Sequence, residues 1–234
     1  MVSGVRISPT SWYRRRPYPH FDIPLSSAKA SKYVSNPQKV ARHSFYPFIR
    51  YVLSVPRGNK ASTRIPPVET KERFISYPAH KDGYIFSYYK ALLEEQYEPW
   101  LSDNNLVNAV TAFRKNRENN VTLAQKAFDF IRQTGPCEII ATDVEKFFDN
   151  INHQLLKQQW ANFLGLPFLP TDHFAVFKAI TKYSYIERHK LYNLFRIPIR
   201  RNLRRKRICS PEDFRMKVVP ALHLNPLLNQ KFLV

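Results

Sequence analysis

The pattern of apolar positions changes along the chain near residue 80. The first 78 residues hold ten of the 18 prolines, which predicts irregular chain with short helices wrapped on the remainder. From residue 84 onward, apolar residues recur at helical spacing. The first buried face predicted in this way comprises Ile85, Tyr88, Tyr89 and Leu92. Pro99 is expected to end that helix.

Two further helices and one strand are predicted in the second half. The helical faces comprise Leu123, Ala124, Ala127, Phe128 and Ile131, and then Leu156, Trp160 and Phe163. Gly165 and Pro167 supply the stop signal of the second helix. Between the two helices, residues 138–142 form a short apolar run bounded upstream by Gly135 and Pro136, which predicts a buried strand.

Asp143 lies at the end of the predicted strand. A carboxylate held there suits phosphoryl transfer, because Mg²⁺ takes few protein oxygens and shares its other positions with substrate phosphates and water. The simpler alternative is a buried strand whose terminal Asp caps a turn. Residue type and position alone leave both interpretations open.

Residues 143–153, D-V-E-K-F-F-D-N-I-N-H, resemble the first palm motif of reverse transcriptases of the group II intron, retron and abortive-infection type. The resemblance implies that Asp143 is a ligand shared by two Mg²⁺ ions and that the carbonyl of Val144 is a backbone ligand. It also implies that Phe148 lies beside the sugar of the incoming nucleotide and excludes a 2′-hydroxyl. Asn150, Asn152 and His153 are expected to cap and start the following helix.

A second block, residues 71–101, resembles the fingers segment of these enzymes, with an arginine, an alternating strand and a helix. The resemblance implies that Arg73 contacts the triphosphate, for which a planar guanidinium is well suited. A solvated surface charge is the alternative. Residues 109–120 resemble the stretch between fingers and palm, where Arg114 either contacts template or triphosphate or forms a buried structural pair.

Two upstream segments resemble the abortive-infection, antiviral-defence branch of the family. They are HSFYPFIRYVL at residues 43–53 and PHFD at residues 19–22. His43 is expected to be packed or hydrogen-bonded, and not a metal ligand, because no second His or Cys lies at metal spacing nearby.

The charge balance predicts a polyanionic partner. The chain has 37 Lys plus Arg against 18 Asp plus Glu, a net charge of +19. Between residues 188 and 217 there are eleven Lys or Arg and only two acids, so this block is expected to neutralise phosphates. The residues predicted to bind nucleic acid are Arg200, Arg201, Arg204, Arg205, Lys206 and Arg207. A solvated basic face, a flexible tail or a patch for anionic membranes is the alternative.

Other classes of protein are disfavoured by composition. A hydrophobic content of 44% supplies a core for one large or two small domains, so a disordered chain is excluded. Two cysteines make neither a disulfide framework nor a zinc site, and no apolar run reaches the ~18 residues of a membrane helix. A cytoplasmic protein is expected.

Part of the family pattern is missing from the sequence. Reverse transcriptases complete their metal site with Tyr-x-Asp-Asp, preceded by a Pro-Gln-Gly segment, and the chain contains neither. The resemblance stops near residues 215–219, which indicates a truncated or frame-disrupted polymerase. With one carboxylate, the two-metal site is not expected to assemble.

The sequence therefore predicts an α+β, mostly helical chain: the fingers and first half of the palm of a right-hand polymerase, with an incomplete palm sheet. Residues 1–70 form an irregular Pro-rich region, 71–135 a fingers-like region, 136–187 a partial palm, and 188–234 a basic C-terminal segment. The resemblance implies RNA-directed DNA synthesis with Mg²⁺, an RNA template, a DNA product and deoxynucleoside triphosphates. We expect inactivity without a complementing polymerase fragment.

Two alternatives from other classes remain. One is a non-catalytic nucleic-acid-binding protein or partner subunit of a complete polymerase. The other, weaker alternative is a basic membrane-surface or ribosome-associated protein in which the motif occurs by chance.

Overall fold

The computed structural model describes residues 7–57, 69–114, 119–144, 147, 148, 150–198 and 207–224. Its architecture is α+β, with about half of the described residues in helices and one small mixed sheet of four strands. The expected fold class is confirmed at this level. None of the helices in the described part is both long and apolar enough to cross a bilayer.

Short helices in the N-terminal part surround one long helix. They are α1 (Pro9–Trp12), α2 (Ser27–Val34) and α3 (Pro37–Ala41), and the long helix is α4 (His80–Asp103). Prolines open α1 and α3, where their missing N–H costs no hydrogen bond. The strand β1 (Phe48–Arg57) follows these helices, in a segment for which the sequence predicts irregular chain and short helices.

The sheet has the strand order β2-β1-β3-β4. β2 (Glu69–Tyr77) pairs with β1 in an antiparallel manner, and this confirms the strand expected around Arg73. β3 (Ser184–Glu187) pairs parallel to β1, placing Ile49 beside Ile186. β4 (His223–Leu224) pairs antiparallel with β3 and is the last strand in this order.

The two faces of the sheet meet different parts of the molecule. Ile49 and Ile186 are buried on one face, which is covered by α8 (Arg188–Leu194) and by the turns around Val218. Phe48 points to the other face, where its ring lies parallel to that of Phe86 in α4 at 6.1 Å between centroids. Successive side chains along β1 point to opposite faces of the sheet, and this alternation produces the division.

Helix α4 is longer than the sequence predicts at both ends. It begins at His80 and passes through Pro99, so the expectation that Pro99 ends it is wrong. A proline inside a helix lowers the stability of the helix by ~3 kcal/mol or more. Leu101, fully buried in the last turn, offsets part of this cost by packing in the core.

Residues 138–142 do not form the predicted buried strand. Residues 137–144 have no regular secondary structure and are exposed, with Ile140 at 82%. Strand propensity depends on packing and pairing with a neighbour, and the strands of the described sheet come from other segments. The prediction is wrong because no described strand pairs with this run.

The helices on either side of residues 138–142 are confirmed. They are α5 (Asn120–Thr134) and α6 (His153–Phe163), and Gly165 follows α6 in the left-handed region at φ +67°. Within the described residues, the apolar face of α5 is nevertheless not covered: none of the helix residues is buried, and Phe128 is 62% exposed. α6 packs through Ala161 against Phe177 of α7 (Thr171–Thr181).

The last described segment is compact. It comprises a short helix, α9 (Pro211–Asp213), a π-helical turn (Phe214–Val218), a 3₁₀ turn (Val219–Ala221) and then β4. Val218 is fully buried beneath the sheet, so this segment fixes the edge formed by β3 and β4.

Candidate functional site

Asp143 and Val144 lie on an exposed segment between α5 and α6. The part of the motif after them folds as expected, because the Asn152 side chain accepts hydrogen bonds from the backbone N–H groups of Gln154 at 2.9 Å and Leu155 at 3.0 Å. This cap starts α6 at His153, and it contributes ~1 kcal/mol to the free energy of unfolding.

Phe148 is 65% exposed and forms an aromatic group with its neighbours. Its ring meets the edge of Phe147 at 5.3 Å and that of Phe113 at 6.1 Å between centroids. Phe113 has a positive φ of 60°, which is unusual for a non-glycine residue. The structure therefore brings the segment before α5 against the Asp143 motif, and the sugar-selecting role of Phe148 stays a prediction.

Arg73 lies on β2 opposite Leu53 and is exposed. It shares its sheet face with Tyr51 and Tyr77, towards the open end of the hairpin. Within the described part of the chain, no hydrogen bond or ion pair joins Arg73 to Asp143. Its triphosphate contact stays a prediction.

Arg114 forms the buried structural pair that was one of its two alternatives. Its guanidinium donates to Glu98 of α4 at 2.7 Å, and its side chain is 5% exposed. It also donates to the carbonyl of Val110 at 3.1 Å. These bonds tie the end of α4 to the segment that carries Phe113, so a contact with nucleotide would require Arg114 to exchange partners.

The structure describes one of the six residues that are predicted to bind nucleic acid. Arg200, Arg201, Arg204, Arg205 and Lys206 lie outside the described residues. Arg207 is described and half-buried, and the neighbouring Ile208 donates its N–H to the carbonyl of His20 at 2.8 Å. Nucleic-acid binding by this block stays a prediction.

The two upstream segments have a structural role at the start of α4. Asp22, from PHFD, accepts hydrogen bonds from the N–H groups of His80 at 2.9 Å and Lys81 at 2.8 Å. A carboxylate at this position satisfies otherwise unpaired helix donors and complements the helix dipole. No local spacing of residues signals this cap, because its partners are 58 and 59 residues away.

His43, from the second segment, bonds to the same helix. Its Nε2 lies 2.7 Å from Oδ1 of Asp82, and its Nδ1 lies 2.9 Å from the hydroxyl of Tyr33. Oδ2 of Asp82 accepts from the N–H of Tyr46 at 2.9 Å. Burial raises the pKa of Asp82, against the lowering effect of its bond with His43. The expectation that His43 is packed and hydrogen-bonded is confirmed.

Gly83 lets the N-terminal chain approach this helix closely. A Cβ at position 83 would lie 2.4 Å from Nη1 of Arg16. The same guanidinium donates from Nη2 to the hydroxyl of Ser87 at 3.2 Å. The start of α4 is thus a closed structural junction, in which the carboxylate of Asp22 already accepts from two of the helix donors.

The described residues do not supply the ligand set that two Mg²⁺ ions require. No group of three or more His, Cys, Asp or Glu in that part of the chain is placed to hold a metal. Asp143 and the Val144 carbonyl are oxygen donors of the right chemistry, but a two-metal centre needs more of them. The described donor set therefore does not fit the metal centre that the resemblance implies.

A comparison with protein-family models and with curated proteins finds no match for this chain. The resemblance to reverse transcriptases therefore rests on the motif residues of the sequence.

Proposed function

We propose that this chain is a portion of an RNA-directed DNA polymerase of the reverse transcriptase type, with the fingers and the first palm motif. The observation that carries the proposal is the sequence of residues 143–153. It combines a carboxylate, two adjacent aromatics and an Asn-capped helix in the order of that motif. The branch indicated by residues 19–22 and 43–53 is the one linked to defence against phage.

By itself, the chain is proposed to bind nucleic acid without synthesising DNA. The chain lacks the Tyr-x-Asp-Asp motif, and no two aspartates are adjacent in its sequence. Nucleotidyl transfer by two metals needs several oxygen ligands, and removing members of such a unit removes most of the rate. The remaining carboxylates would come from another polypeptide segment.

The exposed run at residues 138–142 supports this proposal. Ile139 and Ile140 are strand-forming residues that lie in solvent without a strand partner among the described residues. An unpaired apolar segment of this kind is suited to join the sheet of another segment by strand addition. Such pairing would hold Asp143 at a strand end, as the motif requires.

The other predicted residues have roles only in the completed site. Bound Mg²⁺ would neutralise the charge that develops on the triphosphate. Arg73 would bind the triphosphate through its planar guanidinium, and the ring of Phe148 would exclude ribonucleotides by contact with the 2′-hydroxyl.

A primer-extension assay tests the proposal. The purified chain would be given an RNA template, a DNA primer, deoxynucleoside triphosphates and Mg²⁺, with and without a polypeptide carrying the Pro-Gln-Gly and Tyr-x-Asp-Asp portion of a related polymerase. We expect no extension by either polypeptide alone and measurable extension by the mixture. Asp143→Ala should abolish extension by the mixture, with Asp129→Ala, an exposed acid on α5, as the matched control.

Two results would contradict the proposal. Extension by the chain alone that requires Asp143 would show that the missing carboxylates come from within it. Extension by the mixture that is unchanged by Asp143→Ala would remove the motif from the chemistry.

A partner subunit without catalytic function is the second candidate. It is favoured by the exposed apolar side chains of α5, Val121, Phe128 and Phe130, and by an open apolar cleft of about 330 Å³ between α4 and α7. In that case Asp143→Ala would leave the biological phenotype intact. Charge reversal across residues 200–207 would destroy the phenotype.

A further inference from the structure

A row of stacked planar side chains crosses the sheet from edge to edge. The guanidinium of Arg50 in β1 lies over the ring of Tyr185 in β3 at 3.6 Å and over the ring of Phe74 in β2 at 4.9 Å. The Tyr185 ring stacks in turn on His223 of β4, at 5.4 Å between centroids. We call His223, Tyr185, Arg50 and Phe74 the stacked row.

The strand register places all four side chains on one face. Phe74 is opposite Val52, two residues from Arg50, and His223 is opposite Tyr185. This face is the reverse of the one that buries Ile49. Among the described residues, helix α4 covers this face near Phe48, and the two ends of the stacked row are open: Phe74 is 65% exposed, and His223 is exposed too.

Both ends of the stacked row are therefore accessible. Arg50 covers one side of the Phe74 ring, and Tyr185 covers one side of the His223 ring. A flat group that stacks on the Phe74 ring or the His223 ring would extend the row. An aromatic ring is a general platform for a nucleic-acid base, because every base has a π-face.

Charge next to the row favours an anionic occupant. The carboxylate of Glu187 lies 3.5 Å from Arg50, 3.5 Å from His189 and 3.4 Å from Lys190. Two cations, Arg50 and Lys190, and the imidazole of His189 thus neighbour one acid at this end of the face. Glu72 adds a second carboxylate near the hairpin end, and the chain as a whole carries +19. Phosphates are the complementary groups.

We propose that the stacked row binds single-stranded nucleic acid, with unpaired bases on Phe74 and His223 and phosphates near Lys190. The inference deepens the proposed function, since it gives the nucleic acid a defined face of the sheet. Bases in a duplex are already stacked on each other, so a duplex cannot use this platform.

Fluorescence anisotropy with labelled oligonucleotides tests the proposal on the full chain. The probes are a twelve-residue oligouridylate, its deoxyuridine counterpart and an RNA duplex. Loss of one base–aromatic stack costs ~1–3 kcal/mol, which corresponds to a Kd raised about 5- to 150-fold for Phe74→Ala on the single strands. Phe74→Trp should bind as well as the unmodified chain, because it keeps a π-face.

The matched control is Phe128→Ala, which removes an equally exposed ring from α5. It should leave affinity within twofold, and circular dichroism should show both alanine variants folded. A 2-aminopurine placed in the single strand should lose fluorescence on binding the unmodified chain and the Trp variant. The fluorescence loss should be absent with Phe74→Ala, which a purely structural role of the ring would not produce.

The probes also distinguish the two kinds of strand. A larger effect of Phe74→Ala on oligouridylate than on the deoxyuridine strand assigns the row to RNA, and the reverse assigns it to DNA; both results support the proposal. Equal affinities of Phe74→Ala and Phe128→Ala would overturn it, as would an equal effect of Phe74→Ala on duplex and single strand. Since no step requires DNA synthesis, a failed extension assay and a failed binding assay are separate outcomes.

Discussion

At the residue scale, His20 gives the protein a defined dependence on pH. It is fully buried next to His80, and its Nδ1 accepts the N–H of Phe21 at 2.9 Å. Burial lowers its pKa from 6.5 to about 3. Between these values the unfolded chain binds a proton at this residue and the folded chain does not, so the free energy of unfolding falls as pH falls below 6.5.

Between pH 6 and pH 4, the free energy of unfolding should depend less steeply on pH in the His20→Asn variant, by up to about 1.4 kcal/mol per pH unit. Asn can still accept a hydrogen bond at the position of Nδ1 but does not titrate. Urea unfolding at several pH values measures the difference from the unmodified chain. Equal slopes for the unmodified chain and His20→Asn would contradict the assignment.

At the element scale, the passage of α4 through Pro99 predicts a gain of stability on substitution. Pro99→Ala restores a backbone donor and removes ring crowding inside the helix, and it should stabilise the chain by ~1–3 kcal/mol. Pro37→Ala is the matched control, since Pro37 occupies the first turn of α3 and suits it. Thermal or urea unfolding of both variants checks the expectation. A loss of stability in Pro99→Ala would show that the structure around the helix is adapted to the proline.

The elements also show what could be predicted from local sequence. Asn152 and the apolar spacing after it predict α6 correctly, because a cap and its helix lie within a few residues. Residues 138–142 were predicted wrongly as a strand, since pairing depends on distant chain that periodicity does not reveal. The cap formed by Asp22, the bond between His43 and Asp82, and the stacked row depend on contacts between segments far apart in sequence. None of these contacts has a signature within one window of residues.

At the scale of the whole molecule, the proposed binding of nucleic acid has two separable contributions, the charge of +19 and the stacked row. Release of counterions gives a slope of log K against log salt of about −0.7 per phosphate neutralised on a single strand. Stacking on Phe74 adds affinity that does not depend on salt in this way. The two contributions should therefore respond differently to substitution.

Replacement of Arg200, Arg201, Arg204 and Arg205 by alanine should reduce the salt slope by up to about 3, because four cations are removed from the dense basic block. Phe74→Ala should lower affinity at every salt concentration and leave the slope unchanged. The matched control replaces four exposed cations around α2 and α3 with alanine: Lys29, Lys32, Lys39 and Arg42. It changes net charge equally, so an equal loss of slope would show that total charge, and not the basic block, holds the phosphates. Anisotropy titrations of oligouridylate between 50 and 300 mM salt separate these results.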